Sequence, residues 1–299
     1  MDGEHISESS GREFQRVADE LRTRMIDGTY RKDTLLPPQR ELADSFGVSR
    51  DTIQRVLKEL KSEGWIETRQ GSGSRVIKTQ IIQSVRAGDR DGGMPTLSDL
   101  LSDAFEQQVV TLDVHTLTSE ALDAHIRTQV ARIASGTIAP QRISLRMLLP
   151  DEDLLFPYGR SRERAHDQQL RTRFLDITHR HIESLRTALD DLKSWKPELE
   201  TSFELRHLKA VPTSKLYLFN GVEALHGFYE VRQRSIELDG GTEVDAIDVW
   251  GLGTTLTHHV MDEDDPGSPG SVFVRSAQEW FDSAWDLLTR ESPWWSADG

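Results

Sequence analysis

Three helical patterns followed by a hairpin pattern open the chain. Apolar residues recur every three or four positions in residues 14–26, 35–46 and 49–60, the periodicity of helices with one buried face. Gly47 stands where the second pattern stops, and Pro37-Pro38 is placed in the first turn of that helix. The pattern therefore predicts three short helices separated by tight turns.

Short apolar segments after the third helix predict a small hairpin. Residues 65–68 and 75–77 have the composition of strands, and the glycine- and serine-rich residues 69–74 between them are typical of a turn. Three helices followed by such a hairpin form a winged helix-turn-helix, whose third helix presents its N-terminal side chains to the major groove of DNA. We therefore predict a DNA-binding domain in residues 11–79.

The predicted third helix offers side chains that suit base recognition. Ser49 is a natural N-cap, and Arg50, Thr52, Gln54 and Arg55 are predicted on the face opposite the apolar stripe. Arginine pairs with two acceptors of guanine, glutamine pairs with adenine, and threonine contacts a base or a phosphate. Any one of these arginines, taken alone, is better explained as a solvated surface charge. As a set on one face, they indicate DNA binding.

The predicted wing carries a basic residue on each side of its turn. Arg69 and Arg75 flank the glycines around Gly71. Arginine binds phosphate or enters the minor groove, and glycine allows the backbone to approach DNA closely. We therefore expect the wing to contact DNA beside the third helix.

The domain resembles the GntR family of bacterial regulators in four ordered blocks. These are LPPQRELA at residues 36–43, GVSRDT at 47–52, LKEL at 57–60 and GWIETRQGSG at 64–73. The resemblance implies DNA contacts at Arg40, Arg50, Thr52 and the wing around Gly71, and a dimer on an operator with two-fold symmetry. Many members of the family carry arginine where this chain has Gln54, so a different operator sequence is expected.

The charge of the chain is distributed unevenly. The whole sequence carries a formal charge of −14, but residues 11–79 contain 14 Lys/Arg and 11 Asp/Glu, a net charge of +3. DNA affinity depends on phosphate neutralisation by a local basic surface, so an acidic second domain is compatible with DNA binding if it faces away from the duplex. The modest positive charge favours binding by two copies.

Beyond the first domain, the patterns predict a mixture of helices and strands. Helices are predicted at residues 96–106, 119–135, 167–193 and 272–289, and strands at 109–115, 143–149, 203–208, 216–219 and 228–238. The strand, helix and strand within residues 109–149 have the size of a βαβ unit. This order of elements predicts an α/β domain.

The predicted organisation is an α+β multidomain protein with a winged helix-turn-helix followed by an α/β domain whose mixed sheet is flanked by helices. We predict a disordered N-terminus at 1–10, the DNA-binding domain at 11–79, a linker at 80–95, an effector-binding or dimerisation domain at 96–291 and a tail at 292–299.

A motif in the second domain resembles the signature of the phospholipase D-like superfamily, His-x-Lys-x4-Asp-x6-Gly-Ser-x-Asn. This chain has Thr213, Lys215, Asn220, Gly227, Phe228 and Glu230 at the corresponding positions. The resemblance implies a mixed sheet flanked by helices. Such enzymes need one histidine to form a covalent phospho-intermediate and a second to protonate the leaving group, and neither threonine nor asparagine supplies this chemistry. The nearby His207-x-Lys209 lacks an acid at the required spacing. We therefore predict a degenerate domain without catalytic residues.

The same motif suggests a ligand pocket. The resemblance implies that the domain reuses a phosphoesterase fold to bind a small molecule, and Lys215, Tyr217, Asn220 and Tyr229 are the candidate lining residues, with Lys215 as an anion contact. The alternative is that Lys215 is a surface charge and the tyrosines fill a core. Trp280, Phe281 and Trp285, in the last predicted helix, are interpreted as a face that docks on the core or on a second copy of the chain.

Several classes of chemistry are excluded by composition and spacing. The chain contains no cysteine. His179 and His181 are two positions apart on a predicted helix and point to different faces, and His258-His259 has no nearby carboxylate at metal-ligand spacing. No cofactor and no metal are therefore expected. No apolar run is long enough to span a membrane, and the acidic N-terminus lacks the features of a signal peptide, so a cytoplasmic location without a membrane partner is expected.

The sequence therefore predicts a dimeric, DNA-binding transcriptional regulator, a repressor, whose acidic domain dimerises and senses a small molecule. Its expected partners are a double-stranded operator with an inverted repeat, a second copy of the chain and an effector. Three alternatives stay open: a phosphodiesterase or nuclease tethered to DNA, a regulator with a UTRA-type sensor, and a regulator whose second domain only dimerises.

Overall fold

The computed structural model describes residues 13–14, 16–25, 28–62, 65–69, 73–77, 81–84, 96–238, 242–251 and 254–291. The predicted disordered N-terminus and the C-terminal tail lie outside these residues. Among the helices of these ranges, none is long and apolar enough to cross a membrane.

The N-terminal part contains the predicted three helices and hairpin. Residues 13–14 and 16–25 form α1, followed by α2 (Gln39–Phe46), α3 (Arg50–Ser62), β1 (Ile66–Arg69) and β2 (Gly73–Val76). Ile53, Val56 and Leu60 of α3 are fully buried, as their helical spacing predicts. The prediction that Pro37-Pro38 lies in the first turn of α2 is wrong, because Pro38 adopts an extended conformation at the N-cap and the helix begins at Gln39.

The hairpin gains a third extended segment that the sequence patterns did not predict. Leu35 forms a β-bridge with Arg75, the Leu36 amide donates to the Ser74 carbonyl at 2.8 Å, and the Val76 amide donates to the Thr34 carbonyl at 2.9 Å. The segment is too short to show an alternating pattern of its own. Its pairing fixes the hairpin against the chain that leads into α2.

The C-terminal part is built on an eight-stranded mixed sheet. Its helices are α4 (Leu97–Phe105), α5 (Glu120–Ala134), α6 (Asp167–Trp195) and α7 (Pro269–Leu287). Its strands, in the order β13-β7-β5-β4-β8-β9-β12-β3, are β13 (Thr289–Glu291), β7 (Glu200–Leu208), β5 (Arg142–Pro150), β4 (Val109–His115), β8 (Ser214–Phe219), β9 (Glu223–Phe228), β12 (Thr255–Val260) and β3 (Ile81–Ser84). Strands β4, β5 and β7 are parallel, which confirms the predicted βαβ unit.

A smaller antiparallel sheet stands beside the large one. It contains β10 (Glu230–Glu237), β11 (Glu243–Trp250) and β6 (Arg160–Ser161), in the order β10-β11-β6. The sequence patterns predicted only β10 of these three strands, and they also missed β9, β12 and β13.

The predicted linker contributes a strand to the large sheet. Within residues 80–95, β3 pairs in parallel with β12, with Ile82 opposite Leu256. The prediction of an irregular linker is therefore wrong for residues 81–84, because Ile81-Ile82 supplies the edge strand that β12 lacks on that side. The chain leaving the hairpin is thus tied to the sheet of the C-terminal part.

Helix α7 is fixed to the sheet by an ion network. Arg146 of β5 donates to Asp113 of β4 at 2.7 and 2.6 Å and to Asp282 of α7 at 2.7 Å, and its guanidinium lies 5.1 Å from the Phe281 ring. These hydrogen bonds raise the pKa of Arg146, so the guanidinium stays charged. Phe281 and Trp285 are buried against the sheet and belong to the core.

Candidate nucleic-acid interface and ligand cavity

The N-terminal end of α3 presents an exposed polar face. Arg50 and Gln54 are exposed and one turn apart, and Arg55 is exposed beside them. The Arg55 guanidinium lies 5.2 Å from the Phe14 ring of α1, a cation–π distance that directs this side chain back toward the helical core. Among the predicted DNA contacts on α3, Arg50 and Gln54 are therefore the exposed side chains that remain for base contacts.

Ser49 and Thr52 form the N-cap of α3. The Ser49 side-chain oxygen accepts a hydrogen bond from the Thr52 amide at 3.0 Å, and the two hydroxyl oxygens are 2.9 Å apart. Thr52 is only 5% exposed. The prediction that Thr52 lies on the open outer face is therefore wrong, because its small side chain folds back to pair with Ser49. Gly47, with a φ of 65°, closes the preceding turn in a conformation that favours glycine.

The remaining predicted DNA contacts lie on α2 and on the hairpin. Arg40 is exposed in the first turn of α2. Arg75 is exposed on β2, where it donates to the Asp33 carbonyl at 2.7 Å and lies 3.9 Å from Glu67. Gly71 and the side chain of Arg69 lie outside the described residues.

Three of the four predicted pocket residues line one small cavity in the C-terminal part. Lys215, Tyr217 and Tyr229 surround a cavity of about 70 Å³. The Lys215 ammonium lies 5.9 Å from the centre of the Tyr229 ring, and the Tyr229 hydroxyl accepts from the Leu117 amide at 2.7 Å. Removal from water raises the pKa of Tyr229 to about 12, so its hydroxyl is protonated at neutral pH. Lys215 and Tyr217 are buried.

Asn220 does not join this group. It lies at the opposite end of β8, in the turn to β9, with a φ of 51°. Its side chain accepts from the Thr111 amide at 2.8 Å and donates to the Ala104 carbonyl at 3.2 Å. These contacts give Asn220 a structural position in the β8–β9 turn.

A larger cavity adjoins the small one. It has a volume of about 440 Å³ and is lined by the segment around Phe156 and by the first three turns of α6. Leu117, Arg173, Phe174 and Asp248 line both cavities. The sequence analysis did not single out this region, although five arginines between positions 160 and 173 are a visible exception in an acidic domain.

Five charged side chains join the helices of the two parts. Arg22 of α1, almost fully buried, lies 2.9 Å from Asp19 and 4.0 Å from Glu59 of α3. Glu59 also pairs with Arg180 of α6, and Asp19 lies 3.4 Å from Arg127 of α5. Burial is the main cause that lowers the pKa of Arg180, and the nearby Arg22 adds to it. Helix α6 therefore contacts α3 directly.

The positions of the degenerate phospholipase D-like motif lie on the β8–β9 hairpin and beside it. His207 is buried near the end of β7, and Lys209 is exposed in the turn that follows. Thr213 and Glu230, which stand at two catalytic positions of the motif, are both exposed. The described residues contain no group of three or more His, Cys, Asp or Glu side chains placed to hold a metal ion.

Comparison with known proteins identifies the N-terminal domain. Residues 14–76 match the family described as bacterial regulatory proteins, gntR family. The chain is 37% identical over 86 residues to the probable rhizopine catabolism regulatory protein MocR of Rhizobium meliloti, covering 28% of this chain and 17% of MocR. It is 32% identical over 73 residues to the transcriptional repressor NagR of Bacillus subtilis, covering 24% of this chain and 30% of NagR.

A solved structure described as a GntR-family regulator from Pseudomonas syringae aligns with 61% of this chain and 64% of its own, at 16% identity and a TM-score of 0.20. The matches to MocR and NagR cover less than a third of those relatives' own length. The family match and the two relatives identify the N-terminal domain as a helix-turn-helix domain of the GntR type. In the described structure, a sheet-rich domain follows it.

Proposed function

We propose that this protein is a sequence-specific transcriptional repressor that binds an inverted-repeat operator as a homodimer and responds to a small molecule. The observation that carries the DNA-binding part is the exposed pair Arg50 and Gln54 at the start of α3, within a domain of the GntR type. The name of the relative NagR includes the word repressor, which supports the proposed direction of regulation.

The proposed interface divides into base-reading and positioning groups. Arg50 and Gln54 read base edges in the major groove, since their side chains are exposed at the helix end that enters the groove. Arg40, Arg55, Arg69, Arg75 and the backbone around Gly71 bind phosphates or the minor groove. Ser49 and Thr52 hold the first turn of α3 in place through the hydrogen bond from the Thr52 amide to the Ser49 hydroxyl.

The test is a gel-shift measurement on a genomic fragment that the wild-type protein binds. Arg50→Ala is expected to lower the affinity by at least about tenfold and to relax base preference at one position in each half-site. Arg142→Ala, at an exposed ion pair with Glu200 in the C-terminal domain, is the matched control and is expected to bind as the wild type does. Unchanged, selective binding by Arg50→Ala would contradict the proposal.

The proposed homodimer is supported by charge and by an exposed apolar surface. A domain with a net charge of +3 neutralises few phosphates, so tight binding requires two copies. At the C-terminal end of α7, Leu287 and Leu288 are 79% and 64% exposed, and Trp280 is 41% exposed on the same helix. We propose that a second copy of the chain covers these side chains.

The proposed response to a small molecule is supported by the course of α6. Its residues from Asp167 to Ile177 line the two cavities, and Arg180, one turn further, pairs with Glu59 of α3. A ligand that moves α6 would change the placement of the recognition helix, and half-site spacing determines which dimers fit the operator.

We also propose that the second domain has a fold related to that of the phospholipase D-like superfamily. The central positions of the motif lie on the β8–β9 hairpin of the mixed sheet. No catalytic role is proposed. Phosphodiester hydrolysis by the wild type that is lost in Lys215→Ala or His207→Ala would favour the enzyme alternative instead.

A further inference from the structure

The two adjoining cavities of the C-terminal domain form one site of suitable size for a small organic molecule. The larger cavity has a volume of about 440 Å³, and the smaller one adds about 70 Å³. Small-molecule sites have volumes of roughly 300 to 1,000 Å³. The smaller cavity contributes the buried Lys215 and the Tyr229 ring at its inner end.

The lining is electropositive in a domain that is otherwise acidic. Outside residues 11–79 the chain carries a net charge of −17. The two cavities are nevertheless lined by six cationic side chains against four carboxylates. The cations are Arg160, Arg164, Arg171, Arg173, Lys215 and Arg234. The local charge therefore favours an anion.

Most of the carboxylates are already engaged by the protein. Glu152 lies 2.7 Å from the His179 ring nitrogen. Asp167 accepts from the Ser161 amide at 2.7 Å. Asp248 accepts a hydrogen bond from Arg234 at 2.6 Å, so the charges of these two side chains neutralise each other. These contacts hold the three carboxylates in place but leave their formal charges unchanged, so the lining keeps a formal excess of two cations over carboxylates.

Three arginines that line the larger cavity are placed to bind an anion. Arg160 donates to the Pro157 carbonyl at 2.8 Å, and Arg171 donates to the Glu152 carbonyl, so both are held by backbone oxygens. Arg164 is exposed. Within the part of the chain that the structure describes, none of the three forms an ion pair with a carboxylate. A guanidinium offers a planar pair of donors that matches carboxylate or phosphate oxygens.

Part of the lining is aromatic. The Phe156 ring stacks on Tyr158 at 5.3 Å and meets the edge of Phe174 at 5.5 Å. The Tyr158 hydroxyl donates to the Pro212 carbonyl at 2.8 Å, so the ring is the part of this side chain that remains for a ligand. Leu155, 78% exposed, extends the apolar surface. This part of the lining suits a flat or aliphatic body.

We infer that this site binds a small organic anion, whose carboxylate or phosphate group lies among Arg160, Arg164 and Arg171 while its apolar body contacts Phe156 and Phe174. The inference rests on the proposed effector function and gives the effector a chemical class. An amphipathic anion contacts both the cationic and the aromatic part of the lining. A neutral apolar molecule would leave the arginines without a counterion, and inorganic phosphate would leave the aromatic side chains uncovered.

A pair of fluorescent probes with the same aromatic body tests the inference on the full chain. The anion 8-anilino-1-naphthalenesulfonate is expected to bind with one molecule per chain. N-phenyl-1-naphthylamine, which lacks the sulfonate, is expected to bind at least about tenfold more weakly. Raising sodium chloride from 50 to 500 mM is expected to weaken only the anion. Equal affinities, or no effect of salt, would overturn the inference.

Substitutions localise the probe. Arg160→Gln/Arg164→Gln is expected to weaken the sulfonate probe by about tenfold and to leave N-phenyl-1-naphthylamine unchanged. Arg186→Gln, on α6 but outside the cavity lining, is the matched control and is expected to bind as the wild type does. Wild-type affinity of the double variant for the sulfonate probe would contradict the proposed position. Far-ultraviolet circular dichroism checks that each variant is folded, and the salt series on the wild type does not depend on any variant.

A competition experiment distinguishes a carboxylate from a phosphate headgroup. 4-Phenylbutanoate and 3-phenylpropyl phosphate are expected to displace the sulfonate probe, and the stronger competitor identifies the headgroup. 4-Phenylbutanamide, the neutral counterpart, is the control. Failure of both anions, or equal displacement by the amide, would overturn the class assignment. All these measurements omit DNA, so a failure of the proposed operator binding is detected separately, in the gel shift.

Discussion

At some positions, close neighbouring atoms leave no room for a side chain, and Gly227 is one of these positions. A Cβ atom at this position would lie 2.5 Å from the Thr255 carbonyl oxygen and 2.7 Å from the Thr254 methyl carbon. The sequence analysis noted Gly227 only as a position of the phospholipase D-like motif. The structure gives it a packing reason, since β12 passes too closely for any side chain.

Gly227→Ala is therefore expected to destabilise the protein. Either the backbone of β12 or that of β9 must move to accept the methyl group, and such overpacking costs about 1 to 3 kcal/mol. Gly251→Ala, where the nearest atom to a new Cβ would be 3.9 Å away, is the control and is expected to change stability by less than about 0.5 kcal/mol. Urea unfolding of the two variants beside the wild type measures the difference, and equal stabilities would contradict this explanation.

His115 gives the protein a component of pH dependence. Burial lowers its pKa to about 4, from an ordinary value of 6.5. Between these values the unfolded chain binds a proton that the folded chain does not, so stability is full above pH 6.5 and falls as the pH decreases toward 4. At roughly 1.4 kcal/mol per unit, the loss from this residue between pH 7 and pH 5 is about 2 kcal/mol.

His115→Gln removes this component. The variant is expected to be less stable than the wild type at pH 7, because the imidazole packs 5.1 Å from the Trp280 ring, but to lose about 2 kcal/mol less between pH 7 and pH 5. Urea unfolding at both pH values provides the four free energies. The same loss in variant and wild type would show that His115 does not titrate as its burial indicates.

Elements differ in how far their own sequence determines them. Helices α3, α5 and α6 have long apolar stripes and were predicted within about three residues at each end, because helical periodicity is visible over ten or more positions. Strands β9, β11 and β12 were not identified from local pattern, although they are no shorter than β8. They form because neighbouring strands satisfy their backbone hydrogen bonds.

Helix α6 yields a prediction at the scale of elements. Arg180→Ala removes the pair with Glu59 but leaves Glu59 near Arg22, so both domains are expected to fold. The variant is expected to bind 8-anilino-1-naphthalenesulfonate with wild-type affinity. Any effect of that probe on operator affinity is expected to fall at least threefold, because the contact between α6 and α3 is lost. Fluorescence anisotropy of labelled operator, with and without the probe, measures the coupling, and undiminished coupling would exclude Arg180 as its carrier.

At the scale of the whole molecule, the proposed dimer is tested through α7. Leu287→Glu/Leu288→Glu places two charges on the exposed end of this helix and is expected to convert a dimer into a monomer, since like charges would face each other across the two-fold axis. Light scattering coupled to size exclusion gives the mass. Val222→Glu, 44% exposed in the β8–β9 turn, is the control and is expected to remain dimeric. A dimeric leucine double variant would place the interface elsewhere.

By itself, the sequence determined the N-terminal domain, its helices, the N-cap at Ser49 and the exposed pair Arg50 and Gln54, because these depend on local periodicity and on spaced motifs. It also determined the parallel unit of β4, α5 and β5.

Only the tertiary structure decided which distant residues meet. It brought Lys215, Tyr217 and Tyr229 around one cavity and left Asn220 at the far end of β8. It placed β3 at the sheet edge, turned Thr52 inward and joined α6 to α3. The physical reason is that pairing between strands, burial and ion pairing across the fold depend on partners far apart in the chain, for which local pattern carries no signal.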